Sequence, residues 1–242
     1  MTSPRTVSDT KRAFYTLYTR PINSIYRRVV DELMVEIHLL SVNVDFYYDP
    51  IFALGVVTTF NRFMLGYQPD RESTSIFNSL CTALNDDPVR FLQDAETLQT
   101  LCSHTSLEAL TSTLTGTEPP EGQDITVLRK VIEQITLRTK FKYSRLFGIG
   151  LFTLLELTDA DLVKDDTKRA EVLSKVASAL RFNDDKLQKD LELYRANLEK
   201  MSQARLAIEE AVQSERKKRS QRLQEKAGSD QSENTPVHDT ET

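Results

Sequence analysis

Tryptophan is absent from the 242 residues, and cysteine, histidine, glycine and proline number only 2, 3, 7 and 8. Each shortage excludes something. Two cysteines, Cys81 and Cys102, cannot build a disulfide framework and read as buried thiols of a reducing compartment. The histidines, His38, His104 and His238, form no zinc-type pair, and Cys102 with His104 makes a poor ligand set. With so little glycine there is no phosphate-cradling loop; Gly148-Ile149-Gly150 lies inside an apolar helical pattern and reads as packing. Asp159, Asp161, Asp165 and Asp166 lack the spacing and turn glycine of a calcium loop, so helix capping is expected of them. No positioned nucleophile, acid and base emerge, so the expectation is a protein that is not an enzyme and uses no cofactor or metal. A net charge of −5 argues against general nucleic-acid binding. The N-terminus, MTSPRTVSDTKR, carries no apolar signal segment, and no window reaches the roughly 18–20 apolar residues that span a bilayer. Any membrane association is expected to be peripheral.

What remains is helix. Hydrophobic residues make up 39% of the chain and charged residues 28%, and no stretch alternates with period two. Phe46–Tyr67, FYYDPIFALGVVTTFNRFMLGY, is the most apolar run. Asp49 is an N-cap and Pro50 a first-turn residue with no amide to satisfy, while Gly66 supplies a left-handed stop. The trio Phe46, Tyr47 and Tyr48 reads as an aromatic lid over a core. Tyr143–Leu157, YSRLFGIGLFTLLEL, is a second helix apolar nearly all round. The two are expected to pack together at the centre of a bundle, with Gly55 against the Gly148–Gly150 helix. Around them the pattern places helices from Asp9 to Tyr18 capped by Ser8, from Pro21 to Leu40, from Ser73 to Leu84, and from Val89 to His104 after Asp87-Pro88. Further helices run from Ser106 to Leu114, from Ile125 to Phe141 capped by Asp124, and from Asp166 to Leu180. Thr115–Gln123, TGTEPPEGQ, is a loop.

From Asn183 the character changes. Leu187, Leu191, Tyr194, Leu198, Met201, Ile208 and Val212 follow a four-three spacing, interrupted by Arg205, among Lys, Glu, Asp, Gln and Arg. That is a coiled-coil seam, or a helix lying on a partner, and its apolar members are the candidate partner-binding residues. The basic run that follows, with Arg216, Lys217, Lys218, Arg219 and Arg222, is a candidate contact for anionic lipid or an acidic protein surface. The expected organisation is an all-α bundle domain at 1–182, a long charged coiled-coil-like helix at 183–226, and a disordered acidic tail at 227–242. The heptad permits dimerisation and folding back along the bundle alike, so the oligomeric state stays open.

TVSDTKRAF (6–14), PINSIYRRVVDELMVEIHLL (21–40), FYYDPIFALGVVTTFNRFMLGY (46–67) and KYSRLFGIGLFTLLEL (142–157) resemble, in order, the thylakoid-formation protein family of oxygenic phototrophs. The resemblance implies a non-enzymatic, all-helical protein at the thylakoid membrane. It further implies a role in membrane biogenesis and photosystem II repair, through association with an FtsH-type membrane protease. Plant members carry a transit peptide; this chain shows none, so the resemblance points to the cytoplasm of a cyanobacterium, peripheral to the thylakoid, with a processed plastid form as the other case. The alternative function is direct organisation of membranes by binding anionic lipid surfaces. The family brings no catalytic residue to any position here.

Overall fold

The computed structural model describes the backbone of residues 5–122 and 124–232, and side chains through Gln221. Among the described residues all regular structure is helical: α1 (Val7–Leu17), α2 (Ser24–Ser41), α3 (Pro50–Phe63), α4 (Asp70–Ala83), α5 (Pro88–Cys102), α6 (Leu107–Thr115), α7 (Thr126–Thr136), α8 (Arg145–Thr158), α9 (Ala160–Lys164), α10 (Asp166–Ala179) and α11 (Asp184–Ser232). The chain divides into two compact units, Met1–Ala196 and Asn197–Thr242. The first therefore takes in the start of α11, beyond the boundary expected at residue 182. The backbone of α11 continues to Ser232, past the expected start of the tail, and residues 233–242 lie outside the described residues.

Most helix starts follow local chemistry. Asp49, Asp87, Ser106, Ser144, Asp159 and Asp165 each accept a first-turn amide, satisfying donors that have no intrahelical partner. Gly66, at φ 82°, and Gly116, at φ 73°, take the left-handed conformation that lets the chain turn away from a helix end. The largest differences from the sequence reading fall in four helices. α1 is capped by Thr6 rather than Ser8, through a capping box in which Thr6 and Asp9 satisfy each other's amides. α2 begins after Asn23, whose carboxamide oxygen accepts from the Ile25 N–H, and not at Pro21. α4 starts three residues early, at Asp70. α7 starts at Thr126 and ends at Thr136, so Leu137 to Tyr143 is an irregular connector rather than helix.

The centre of the first unit is the pair α3 and α8, whose residues 51–60 and 146–155 are buried without a break. Gly55 stands where any Cβ would strike the Leu146 carbonyl and the Gly150 amide, and a Cβ on Gly150 would strike the Ile51 carbonyl. Small residues thus let the two backbones touch, as their placement in two apolar helices suggested. Further along, Arg62 pairs with Glu156, so the helices run in the same direction and begin at the same end of the bundle. α5 packs on α3 through Phe91, whose ring lies 6.1 Å from Phe52. Of the aromatic lid, Phe46 sits edge-on to Phe52 at 5.0 Å and Tyr48 edge-on to Phe91 at 5.1 Å. Tyr47 departs from that reading: it is exposed, under the guanidinium of Arg138 at 3.6 Å.

α11 enters the same core. The Asn183 side chain accepts from the Lys186 N–H at 2.7 Å and caps the helix. Gly148 of α8 leaves room for it: a Cβ there would lie 2.9 Å from Leu187 Cδ1 and 2.6 Å from the Tyr143 hydroxyl. Phe182, just before the helix, stacks on Tyr143 at 5.0 Å and closes an aromatic cluster with Phe141 and Phe147.

Candidate functional site

His38, the two cysteines and the acids between Asp159 and Asp166 are used structurally. His38 is buried, and its Nδ1 lies 3.0 Å from the Thr10 hydroxyl, joining α2 to α1. Cys81 and Cys102 are both free and buried, and loss of solvation pushes the Cys81 thiol up to about 12, far from a reactive thiolate. Among the described residues no three side chains of His, Cys, Asp and Glu gather as a metal site. Asp159 and Asp165 are the helix caps expected of them, Asp161 pairs with Lys164, and Asp166 pairs with Arg169 and Arg195.

Half-buried ion pairs tie the bundle together. Arg145, at the start of α8, reaches Glu36 of α2; burial pushes the Glu36 carboxyl up and the guanidinium counters it. The Tyr143 hydroxyl donates to Asp190 at 3.0 Å, linking the α8 entry to α11, and Tyr18 and Arg20 converge on Glu72 at 3.0 and 2.5 Å. Burial also raises the Asp49 cap, to about 7, against the two amides it accepts. Glu36, Glu72 and Asp190 meet partners from other segments of the bundle, and Asp49 serves its own helix. The volume of about 530 Å³ bordered by Arg27, Arg28, Asp31 and Glu36 is an open groove whose charges largely pair with one another, through Lys11–Asp31, Arg28–Glu32 and Arg145–Glu36.

The candidate partner-binding series is divided by the structure. Leu187, Leu191 and Tyr194 are at most 2% exposed and belong to the core of the first unit. In the second unit the same spacing continues in the open: Leu198 and Met201 are half-buried, while Ile208 and Val212 are 42% and 43% exposed. Arg205 is half-buried, and Leu206 adds a further exposed apolar residue on the same helix. Arg216, Lys217, Lys218 and Arg219 are all exposed, and the Arg222 side chain lies outside the described residues. Sequence reasoning missed the irregular 137–143 connector and the apolar residues projecting near it. The continuous apolar periodicity through Phe141 concealed them.

No helix of the described residues is long and apolar enough to cross a membrane. The profile of the thylakoid formation protein family matches residues 6–223. Protein Thf1 of a Nostoc species is 55% identical over 221 residues, which cover 91% of this chain and 94% of that protein. Protein Thf1 of Acaryochloris marina is 47% identical over 242 residues, covering 100% of this chain and 96% of its own. The solved structure of Psb29 superposes with a TM-score of 0.76 at 43% identity, covering 90% of this chain and 100% of that one.

Proposed function

The chain belongs to the thylakoid formation protein family, and from that premise we propose that it is a non-enzymatic accessory protein that binds and stabilises an FtsH-type protease at the thylakoid membrane. In that role it supports photosystem II repair and thylakoid biogenesis. One observation carries the reading: the apolar seam of α11 outlasts its own core. Leu187, Leu191 and Tyr194 are consumed inside the first unit, while Ile208 and Val212 repeat the spacing and are exposed. A seam that continues without cover is the geometry by which one helix recruits another.

The exposed cations from Arg216 to Arg219 add electrostatic steering toward an acidic surface of the same partner, which raises the rate of encounter more than the final affinity. Co-purification from solubilised thylakoid membranes tests the proposal, comparing the full chain with one ending at Ala196. The full chain should retain the protease and the shortened chain should lose it; equal retention by both would remove α11 from the interface.

A further inference from the structure

α3 and α8 begin at the same end of the bundle, so the connectors that lead into them, 42–49 and 137–144, come together there. Arg138 lies over the Tyr47 ring at 3.6 Å, and Asp45, Tyr47, Gln134, Arg138 and Lys142 border one shallow depression. From these connectors Val44 and Leu137 project into solvent, 87% and 83% exposed, the two highest values among the large apolar side chains described. Val42 and Leu39 are exposed just before Val44.

The two connectors differ in charge: 42–49 carries only the acids Asp45 and Asp49, and the 137–144 connector is basic. Arg138, Lys140 and Lys142 fall within five residues with no acid between them, and no ion pair engages any of the three among the described residues. Most nearby acids are occupied: Asp94 by the Tyr48 hydroxyl at 2.6 Å, Asp190 by Tyr143, and Glu36 by Arg145. Asp45, half-buried, and Glu133, a turn back on α7, remain, and Asp49 beside the same depression feels the Arg138 charge, which leaves Lys140 and Lys142 as the freest cations.

We propose that this end of the bundle is a docking face for an anionic lipid surface. Val44 and Leu137 seat among the head groups while Arg138, Lys140 and Lys142 meet their charge. The shape favours lipid over a folded partner. An apolar side chain more than four-fifths exposed is an isolated projection, without the packed surround that a protein interface needs around its anchors. A fluid head-group layer accepts such projections with no matching pocket, and an anionic one adds attraction for each nearby cation. The face belongs to the first unit, and its docking does not depend on any protease.

Co-sedimentation of the full chain with extruded vesicles tests the assignment, because the vesicles contain lipid alone. The native chain should bind vesicles of mixed phosphatidylglycerol and phosphatidylcholine, and phosphatidylcholine vesicles far less. Binding should fall as salt rises. Lys140→Ser with Lys142→Ser should weaken it by about tenfold or more, and Val44→Ser with Leu137→Ser should also weaken it severalfold. All four sites are exposed, so the melting temperature should stay at the native value. Replacing Arg216, Lys217, Lys218 and Arg219 by Ser should change binding by less than about threefold. The proposal is overturned if the native chain ignores anionic vesicles, if its binding is insensitive to salt, if both connector variants bind as the native chain does, or if only the 216–219 variant loses binding.

Discussion

Between α3 and α8, Gly55 and Gly150 bring backbone against backbone, with no side chain interposed. In α11 beyond Ala196, apolar residues stand at helical spacing, half-buried at Leu198 and Met201 and exposed at Ile208 and Val212. Both regions are helical and both hold apolar residues in register, but only the first is completed by its own chain. A residue enclosed on every side is constrained by what is already there, and replacing it is felt as lost stability. A residue left open contributes little to folding, so selection on it must act through something else. In this molecule the first region accounts for the fold and the second is where recognition is expected.

The sharpest way to break that contrast is to truncate the same seam on either side of the division. Leu191→Ala should cost roughly 2–5 kcal/mol of unfolding free energy by opening a cavity in the first unit. Val212→Ala, at an open position, should stay within about 0.5 kcal/mol. Equal costs in urea denaturation would mean that the outer seam is buried after all.

Next in size is the glycine contact. Gly55→Ala should destabilise by about 1–3 kcal/mol, because its Cβ must displace the Leu146 carbonyl, which α8 holds in place. Gly148→Ala meets the Tyr143 hydroxyl and a Leu187 methyl instead, ends of side chains that can shift, and should cost less. An unchanged melting temperature for Gly55→Ala would refute the close helix contact.

The smallest effect concerns the cap at the head of α3. Burial holds the Asp49 carboxyl at about 7, above its unfolded value near 4. A carboxyl raised on folding favours the native state at low pH, and that contribution disappears as pH rises from about 4 through about 7. Asn caps helices as well as Asp but does not ionise. Native stability should therefore decline relative to Asp49→Asn by on the order of 1 kcal/mol between pH 5 and 8, given that the group is only partly enclosed. Parallel curves for the two proteins would contradict this.

Much of the fold was legible because it is local. Asp-Pro at 49–50 and 87–88, and Ser106, announced their helices through capping chemistry that depends on a few neighbouring residues. The scarcity of glycine made Gly55, Gly148 and Gly150 stand out as packing positions. The end of α7 was hidden because Phe141 keeps the apolar rhythm, yet its ring serves Phe147 and Phe182, contacts set by tertiary structure. The seam of α11 could be read as a seam, but spacing alone does not say what covers it. Leu187 is enclosed because Gly148 makes room on another helix, and nothing within α11 marks where that cover ends. A cut at Asn183 would for this reason remove core residues along with the surface of interest. The exposure of Val44 and Leu137 was beyond sequence reading for a similar reason: both belong to connectors whose course depends on packing elsewhere.

The central claim is that recognition resides in the open part of the α11 seam. Its most direct test is a full-length variant with Leu198, Met201, Ile208 and Val212 all replaced by Ser, compared with the native chain for melting temperature and for protease retained from solubilised thylakoid membranes. The account predicts a first unit that melts as the native one does and a loss of most of the retained protease. Undiminished retention at the native melting temperature would contradict it.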